Sequence, residues 1–506
     1  MAGAIIEGKD IKSAVREETQ VCIIGSGAGG AMVARKLAEH SVRVIVLEEG
    51  GVYNSKNYPK TPREVIMKMY RNLGMDATIG IPSIIVPTGK CLGGTTVINM
   101  GTCFRVPDWI YQKWQEMGIE GWSKAELDPY YDIVEKIMSV QPVKPEVMGG
   151  NGEIIAEGAR KLGLHPKPIR RNVNDNCKGC DNCSYGCRED AKQAMHLNCI
   201  PYAVERGVKF YCDTKAEIIL NDGERVIGVQ GSIRDRETGA FRHHIDIACD
   251  VVVLCAGALN TPVLLLKNKI ANSSGQVGKN LKIHLCGRAS GIFEQYIDGH
   301  HGVGQCLYID DYAEELGIML EATFTGPASE FPGYPGFGAE FCQLVKEYRK
   351  TATVGVMVSD TSSGRVTVGI DGEPMMTYNM NQKDADTLKK AMLISARILF
   401  AAGAKKVLTT TSVFPIINSL AEVEKFQDIK VSPSHFLLMA FHPMGTCRMG
   451  ADAKKSVVNL NLEAWDLKNL FIADASVFPT SLGVNPQETI WAFAYRCAEH
   501  IVNNVL

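Results

Sequence analysis

The residues whose types and spacing most plainly promise chemistry are four cysteines in the run CKGCDNCSYGC: Cys177, Cys180, Cys183 and Cys187, spaced C-x2-C-x2-C-x3-C. This is the spacing of the bacterial ferredoxin run, in which thiolates hold an iron–sulfur cluster, although Arg188 rather than proline follows the last cysteine. Thiolates this close suit a soft metal centre, and a reducing compartment disfavours disulfides between them. The leading expectation is an iron–sulfur cluster, [4Fe–4S] or [3Fe–4S]. Structural zinc, disulfides and a reduced loop are the alternatives, and Cys199 and Cys212 are the nearest cysteines downstream that would complete or exchange a ligand.

A second constellation lies near the N-terminus. QVCIIG reads as a short buried strand and GSGAGGAMVARKLAEH turns directly into a helical pattern, with Gly25, Gly27 and Gly30 at the junction. In G-x-G-x-x-G the first glycine permits the tight turn, the second lets a pyrophosphate approach the backbone, and the third allows close helix–strand packing. A second strand, VRVIVLEEG, ends at Glu48, where an acid takes the ribose hydroxyls. The logic recurs twice: CDVVVLCAGALNTPVLLLK carries Gly257 between a strand and a helix, and NLFIADASVFPTSLGVNPQETIWAFAYRCAEHI carries Asp474 at a strand end and a helix beginning near Pro486. Strands at both ends of the chain feeding one site imply a discontinuous dinucleotide-binding domain.

The elements that must position these groups belong to a chain of 506 residues with a formal charge of −2, 45% hydrophobic and 22% charged. At about 150 residues per domain, two to three domains are expected. The composition excludes a disordered chain and offers no basic field for nucleic acid. No apolar run reaches the 18 or so residues of a membrane span, and the N-terminal stretch has no signal-like apolar core, so a cytoplasmic location is expected. Most of the 16 cysteines stand singly among apolar residues, as small buried hydrophobes do.

With these motifs in view, the sequence resembles the glucose–methanol–choline (GMC) family of FAD oxidoreductases. KCLGGTTVINMGTCFR, with Gly93 and Gly94, and AGALNTPVLLL look like the family's two signatures, and VGKNLKIHL, HPMGTCRMG and VNPQETIWAFA match further blocks in the same order. The long-chain alcohol oxidase branch looks nearest. A cysteine-rich segment placed like 177–187 occurs in FAD sugar and polyol dehydrogenases with a [3Fe–4S] centre, and a comparable one in long-chain alcohol oxidases.

The resemblance implies a Rossmann-like FAD-binding domain of glutathione-reductase type, from residues 1–107, 203–285 and 441–506. It also implies an α+β substrate domain with an antiparallel sheet, from 108–202 and 286–440, into which 177–187 is inserted. It implies oxidation of an alcohol by hydride transfer to FAD, with His442 as the base and Asn485 orienting the substrate oxygen. A base within hydrogen-bond reach eases hydride departure, and Asn485 is also suited to capping the helix that Pro486 opens. Asn99 is expected beside the reacting edge of FAD. Ile98 stands where some relatives carry a histidine bonded to FAD, so non-covalent binding is expected, with Cys91 and Cys103 nearby.

With a cluster present, electrons are expected to leave singly to an acceptor protein. An oxygen-using alcohol oxidase with zinc-bound or inert cysteines, a lyase on the same fold and a non-catalytic electron carrier are the alternatives. Within the second domain, TATVGVMVSD, GRVTVGI and PMMTYNM read as strands and KDADTLKKAMLISARILFAAGA as a helix. Residues 319–343 read as a long loop and candidate lid. Met439, Phe441 and Met444 favour an apolar or aromatic alcohol.

Overall fold

Runs of Val, Ile and Leu with no polar alternation require burial on both faces, as in the parallel centre of an α/β sheet. The computed structural model, which describes residues 3–506, places them so. An eight-stranded sheet runs in the order Ala4–Ile6, Lys209–Tyr211, Val44–Leu47, Val15–Ile24, Phe241–Leu254, Val226–Arg234, Thr214–Asn221, with Leu470–Ile472 also paired to Phe241–Leu254. The first five of these and Leu470–Ile472 pair in parallel, while Val226–Arg234 and Thr214–Asn221 extend the sheet antiparallel. Strands from both ends of the chain therefore share one sheet, and the helices Ala28–Glu39 and Gln487–Asn504 pack on each other over it.

A second, nine-stranded sheet runs Ile416–Ile417, Lys406–Thr409, Leu285–Ile292, Thr351–Val358, Ile318–Thr323, Gln305–Ile309, Lys167–Pro168, all antiparallel, with Leu438–Met439 also paired to Leu285–Ile292 and Ile84–Ile85 paired to Leu438–Met439. Helix Gln382–Ala401 covers it, capped by Asn381, whose side chain accepts from the Asp384 N–H. Two large buried clusters correspond to the two sheets.

The assignment differs from expectation in three places. Helices Asp108–Glu116 and Lys124–Ile137, expected in the substrate unit, bury Trp114, Tyr131 and Val134 in the first cluster, where Trp114 and Trp122 pack on Phe493. Ile84–Ile85, expected with the dinucleotide unit, joins the second sheet. The stretch 319–343 is not a loop: it contains most of the buried strand Ile318–Thr323, then the helices Pro327–Glu330 and Gly338–Lys346. Its glycines and prolines punctuate short elements rather than preventing them.

At the head of helix Ala28–Glu39 the backbone is packed as closely as atoms permit. A Cβ on Gly30 would stand 1.9 Å from the Gly25 carbonyl oxygen, and one on Gly29 would stand 1.9 Å from that of Ala473. Gly29 thus holds the C-terminal strand against the N-terminal helix, a role the G-x-G-x-x-G pattern does not assign. Gly29→Ala is expected to lower the apparent Tm through about 1–3 kcal/mol of overpacking. Gly27→Ala, whose Cβ would meet only the Gly94 Cα at 3.9 Å, is expected to leave Tm nearly unchanged. Equal Tm values for Gly29→Ala and wild type would contradict this account.

Candidate active site

A cavity of about 1040 Å³ opens between the two sheets. One end is built by strand ends. Gly27 occupies the N-cap of Ala28–Glu39 without any side-chain cap, so the first-turn N–H groups stay available to an anion. Glu48 follows the strand Val44–Leu47 and is buried. Its Oε2 accepts from the Ser26 N–H at 2.9 Å and the Ser26 hydroxyl at 2.6 Å, and its Oε1 accepts from the Gly50 N–H at 2.7 Å. Ser26 Oγ in turn accepts from the Gly93 N–H at 3.0 Å, which joins the glycine motif to the turn Gly93–Gly94. Burial pushes the Glu48 carboxyl up, against these donors.

Asp474 repeats the device. It is buried and accepts from the Gly257 N–H (2.9 Å), the Thr261 hydroxyl (2.6 Å) and the Ser476 N–H (2.8 Å). A Cβ on Gly257, at φ +83°, would meet nothing within 4 Å, so the cavity reaches its backbone directly. Gly25, Gly27, Glu48, Gly94, Gly257 and Asp474 all line the cavity. Uncapped helix start, open glycines and terminal acid together fit a dinucleotide.

The other end carries the predicted catalytic residues. His442 is half-buried, Asn485 is buried, and Asn99 and Pro486 line the same wall. Asn485 Nδ2 lies 3.4 Å from His442 Nε2. Asn485 does not cap the helix Gln487–Asn504; Pro486 takes that position and no side chain caps it. Asn99 donates through Nδ2 to Gln487 Oε1 at 2.8 Å and accepts from the Gly101 N–H at 3.0 Å. Of the three apolar residues expected near the pocket, Met439 and Phe441 line it, whereas Met444 is buried in the first core.

His284 sets the orientation of His442. Its Nδ1 lies 3.1 Å from Nδ1 of His442, and the Gly483 N–H donates to its Nε2 at 3.0 Å. A backbone N–H only donates, so Nε2 of His284 is an acceptor. Burial, then the charge of His442, holds His284 well below the usual histidine range, so it is neutral and carries its proton on Nδ1. That proton is donated to Nδ1 of His442. Burial pushes His442 down to about 4, so it too is neutral. Its Nε2 faces the Asn485 amide nitrogen, and Asn485 Oδ1 is buried without a protein partner.

The cysteine run does not fit a cluster. Cys180 is exposed, Cys177 half-buried, Cys183 and Cys187 buried. The Arg171 guanidinium stands between two of the thiols, donating to Cys183 Sγ at 3.0 Å and reaching Cys177 Sγ at 4.0 Å. Among the described residues no group of three or more His, Cys, Asp or Glu side chains is placed to hold a metal ion. The expectation of an iron–sulfur centre, or of zinc, on Cys177, Cys180, Cys183 and Cys187 is therefore not supported. The residues flanking the run instead bring two buried cations, Arg171 and Lys192, to the segment carrying Asn99. Arg171 donates to the Met100 carbonyl, and Lys192 Nζ donates to the carbonyls of Val97 (2.9 Å), Asn99 (2.5 Å) and Cys183 (2.9 Å). Burial pushes the Lys192 ammonium down to about 8. Cys91 and Cys103 are buried thiols, pushed up chiefly by burial. Purified protein is expected to hold substoichiometric iron, zinc and acid-labile sulfide, and to keep its Tm after chelator treatment. One cluster per chain would overturn this.

Several site residues lay outside the motif readings. Ser26 occupies an unspecified position of the glycine motif, Gln487 follows Pro486, and Thr261 stands inside the helix that follows Gly257. Among the described residues no helix is long and apolar enough to cross a membrane.

Comparison with known proteins agrees with the two-sheet architecture. Two family models described as GMC oxidoreductase match residues 46–286 and 360–494. The chain is 35% identical to an uncharacterised GMC-type oxidoreductase of Mycobacterium tuberculosis, over 99% of this chain and 78% of the relative. It is 27% identical to a long-chain-alcohol oxidase of Arabidopsis thaliana, over 97% of this chain and 69% of that protein. It is 26% identical to a 2-methyl-1,2-propanediol dehydrogenase of Mycolicibacterium austroafricanum, over 96% of this chain and 95% of that one. The solved structure of pyridoxine 4-oxidase from Mesorbium loti superposes with a TM-score of 0.70 at 18% identity, over 96% of this chain and all of that one.

Proposed function

This chain belongs to the GMC oxidoreductase family and is an FAD-dependent enzyme acting on CH–OH donors; from that premise we propose that it oxidises an alcohol whose hydroxyl oxygen is held between His442 and Asn485. The observation that carries this reading is the approach of His442 Nε2 to the Asn485 amide, 3.4 Å apart, on the wall of the cavity whose far end holds the uncapped helix start at Gly27.

The residues that would hold FAD are Gly25, Gly27 and Gly257 against the pyrophosphate, Glu48 toward the ribose, and Gly94, Asn99 and Asp474 along its length. When bound, FAD supplies the hydride acceptor. The chain supplies the rest. The Nε2 edge of His442 meets the substrate oxygen, its ring plane held by His284. Asn485 offers a second hydrogen bond, and two fixed contacts on one oxygen direct the carbinol C–H. The neutral imidazole avoids placing a charge in a desolvated wall.

Met439, Phe441 and Met357 supply apolar contact, while Gln305, Thr323 and Glu321 add polar lining. The pocket therefore suits an alcohol with both apolar and polar parts, in place of a purely apolar or aromatic one. We assign reoxidation to an acceptor that reaches the cavity directly. Oxygen is favoured by the relatives named long-chain-alcohol oxidases.

In anaerobic stopped-flow with an alcohol panel, at least one alcohol is expected to bleach the flavin. His442→Ala should keep the yellow cofactor yet be reduced about a hundredfold or more slowly, the scale on which losing a group at the reacting oxygen is felt. Asn485→Ala should be slowed less and raise KM. Near-normal reduction of the His442 variant would sink the assignment. Admitting air should then release hydrogen peroxide equal to product; reoxidation only by an added one-electron carrier would refute the oxygen assignment.

A further inference from the structure

Two buried cations behind the cavity wall are unused by this scheme. Lys192 and Arg171 are each 1% exposed, and their hydrogen bonds run to carbonyls and thiols. After burial, the groups acting on them are the thiols of Cys91, Cys177, Cys183 and Cys187 and, on Lys192, the charge of Arg171. The carboxyl that Arg171 itself acts on, Asp181, is pushed up to about 8, chiefly by burial, and so brings no negative charge at neutral pH. A buried charge without an opposite partner is costly, and two side by side are costlier still.

Only backbone separates these cations from the cavity. Ile98, Asn99, Met100, Gly101 and Thr102 line it in succession. A Cβ on Gly101 would stand 3.4 Å from Cδ of Lys192, so the lysine stem runs directly behind that glycine. A trans peptide sets its N–H antiparallel to its C=O. The Asn99 carbonyl accepts from Lys192 at 2.5 Å, so the N–H of the same peptide, at Met100, points away from the ammonium. Among the described residues that N–H donates to no protein acceptor. The Met100 carbonyl is held likewise by Arg171, and the N–H of its peptide, at Gly101, donates to Asn99 Oδ1. Two successive peptides thus have their carbonyl ends on cations and their N–H ends directed away from them.

This stretch of wall adjoins the reacting end. Asn99 donates to Gln487, two residues beyond Asn485, and the Thr102 carbonyl accepts from the same Gln487 at 2.8 Å. The pyrophosphate of a dinucleotide is drawn to the other end, at the uncapped helix start beside Gly27. A hydride acceptor must meet the carbinol carbon whose oxygen lies at His442 and Asn485, so its ring belongs beside residues 98–102. Oxidation of an alcohol sends a hydride, which is one proton and two electrons, to the acceptor and the hydroxyl proton elsewhere. The acceptor side therefore gains one negative charge.

We propose that Lys192 and Arg171 stabilise the negative charge that hydride transfer delivers to the flavin, acting through the Asn99–Met100 and Met100–Gly101 peptides. The inference rests on the reading of this cavity as a site for FAD and an alcohol. Both are positioning residues, since they touch the wall and not the substrate. Charges and peptide dipoles set in place by folding need no reorganisation when the new charge appears. The buried side of the wall leaves them unscreened by water. Cys183 serves both cations, its carbonyl accepting from Lys192 and its thiol from Arg171, so the cysteine run fixes the two relative to each other.

The test uses the holoenzyme and needs no alcohol. The midpoint potential of bound FAD is measured against reference dyes in an anaerobic reductive titration at pH 7, below the value of about 8 to which burial pushes the Lys192 ammonium. The wild-type potential is expected above that of free FAD, because the cations favour the reduced form. Lys192→Met and Arg171→Gln should each weaken the preference for reduced over oxidised FAD about tenfold or more, a fall of about 30 mV or more for a two-electron couple. Arg171→Lys keeps the charge and gives up the forked contact, so its potential should stay close to wild type. A merely structural brace would be harmed by either substitution at Arg171 and would leave the potential unmoved.

A wild-type potential at or below that of free FAD overturns the proposal, whether or not any variant folds. So do Lys192→Met and Arg171→Gln holoenzymes that keep the wild-type potential, and so does an Arg171→Lys enzyme whose potential falls as far as that of Arg171→Gln. The parent reading fails separately. A chain that binds no added FAD removes the cofactor from the cavity, and failure of every alcohol to bleach a flavin whose potential responds as expected removes the alcohol alone.

Discussion

The contact between glycine backbone and carbonyl oxygen at the head of helix Ala28–Glu39 is the constraint on which the rest of the molecule depends. Three strand ends, at Ile24, Leu254 and Ile472, are drawn to that point. They come from the first, middle and last parts of the chain, and the approach is possible because Gly25, Gly29 and Gly30 carry no Cβ where oxygen atoms of Cys255, Ala473 and Gly25 stand. Close packing then brings the polar strand ends together, which would be unfavourable without hydrogen bonds to match.

Buried carboxylates supply that match. Glu48 and Asp474 are removed from water, and each gathers backbone N–H and hydroxyl donors from two different segments. The charge cost of burial is thereby offset by bonds that also define the shape of the cofactor end. Glu321 stands in contrast: it is equally buried, has one amide donor, and keeps an oxygen directed to no protein group.

Electrostatics gives the cysteine-rich loop a different meaning from its spacing. Arg171 and Lys192 are almost fully buried, and their hydrogen bonds run to main-chain carbonyls from Val97 to Met100 and to Cys183. The thiols crowd around these cations as polarisable neighbours, and the loop serves as a brace behind Asn99. The brace, the Gln487 bridge and the His284–Gly483 contact converge on one short stretch of cavity wall from three directions.

Much of this was legible in the residues themselves. The apolar runs, the turn glycines and the acids after each strand are local features, so the strand–turn–helix units and the family fold followed from sequence pattern and family resemblance. Residues 319–343 were misread because proline and glycine density signals interruption but not what lies between interruptions. The spacing of Cys177 to Cys187 describes how thiols are threaded, while chelation depends on where they point, and only packing decided that Arg171 stands among them. The tautomer of His284 depends on a backbone N–H at Gly483, far from it in sequence, and Arg288 finds its partner in Glu330, 42 residues away. Local composition determined the elements and the cofactor; tertiary structure decided charge, tautomer and exposure, because those properties belong to neighbours that the chain brings together only when it folds.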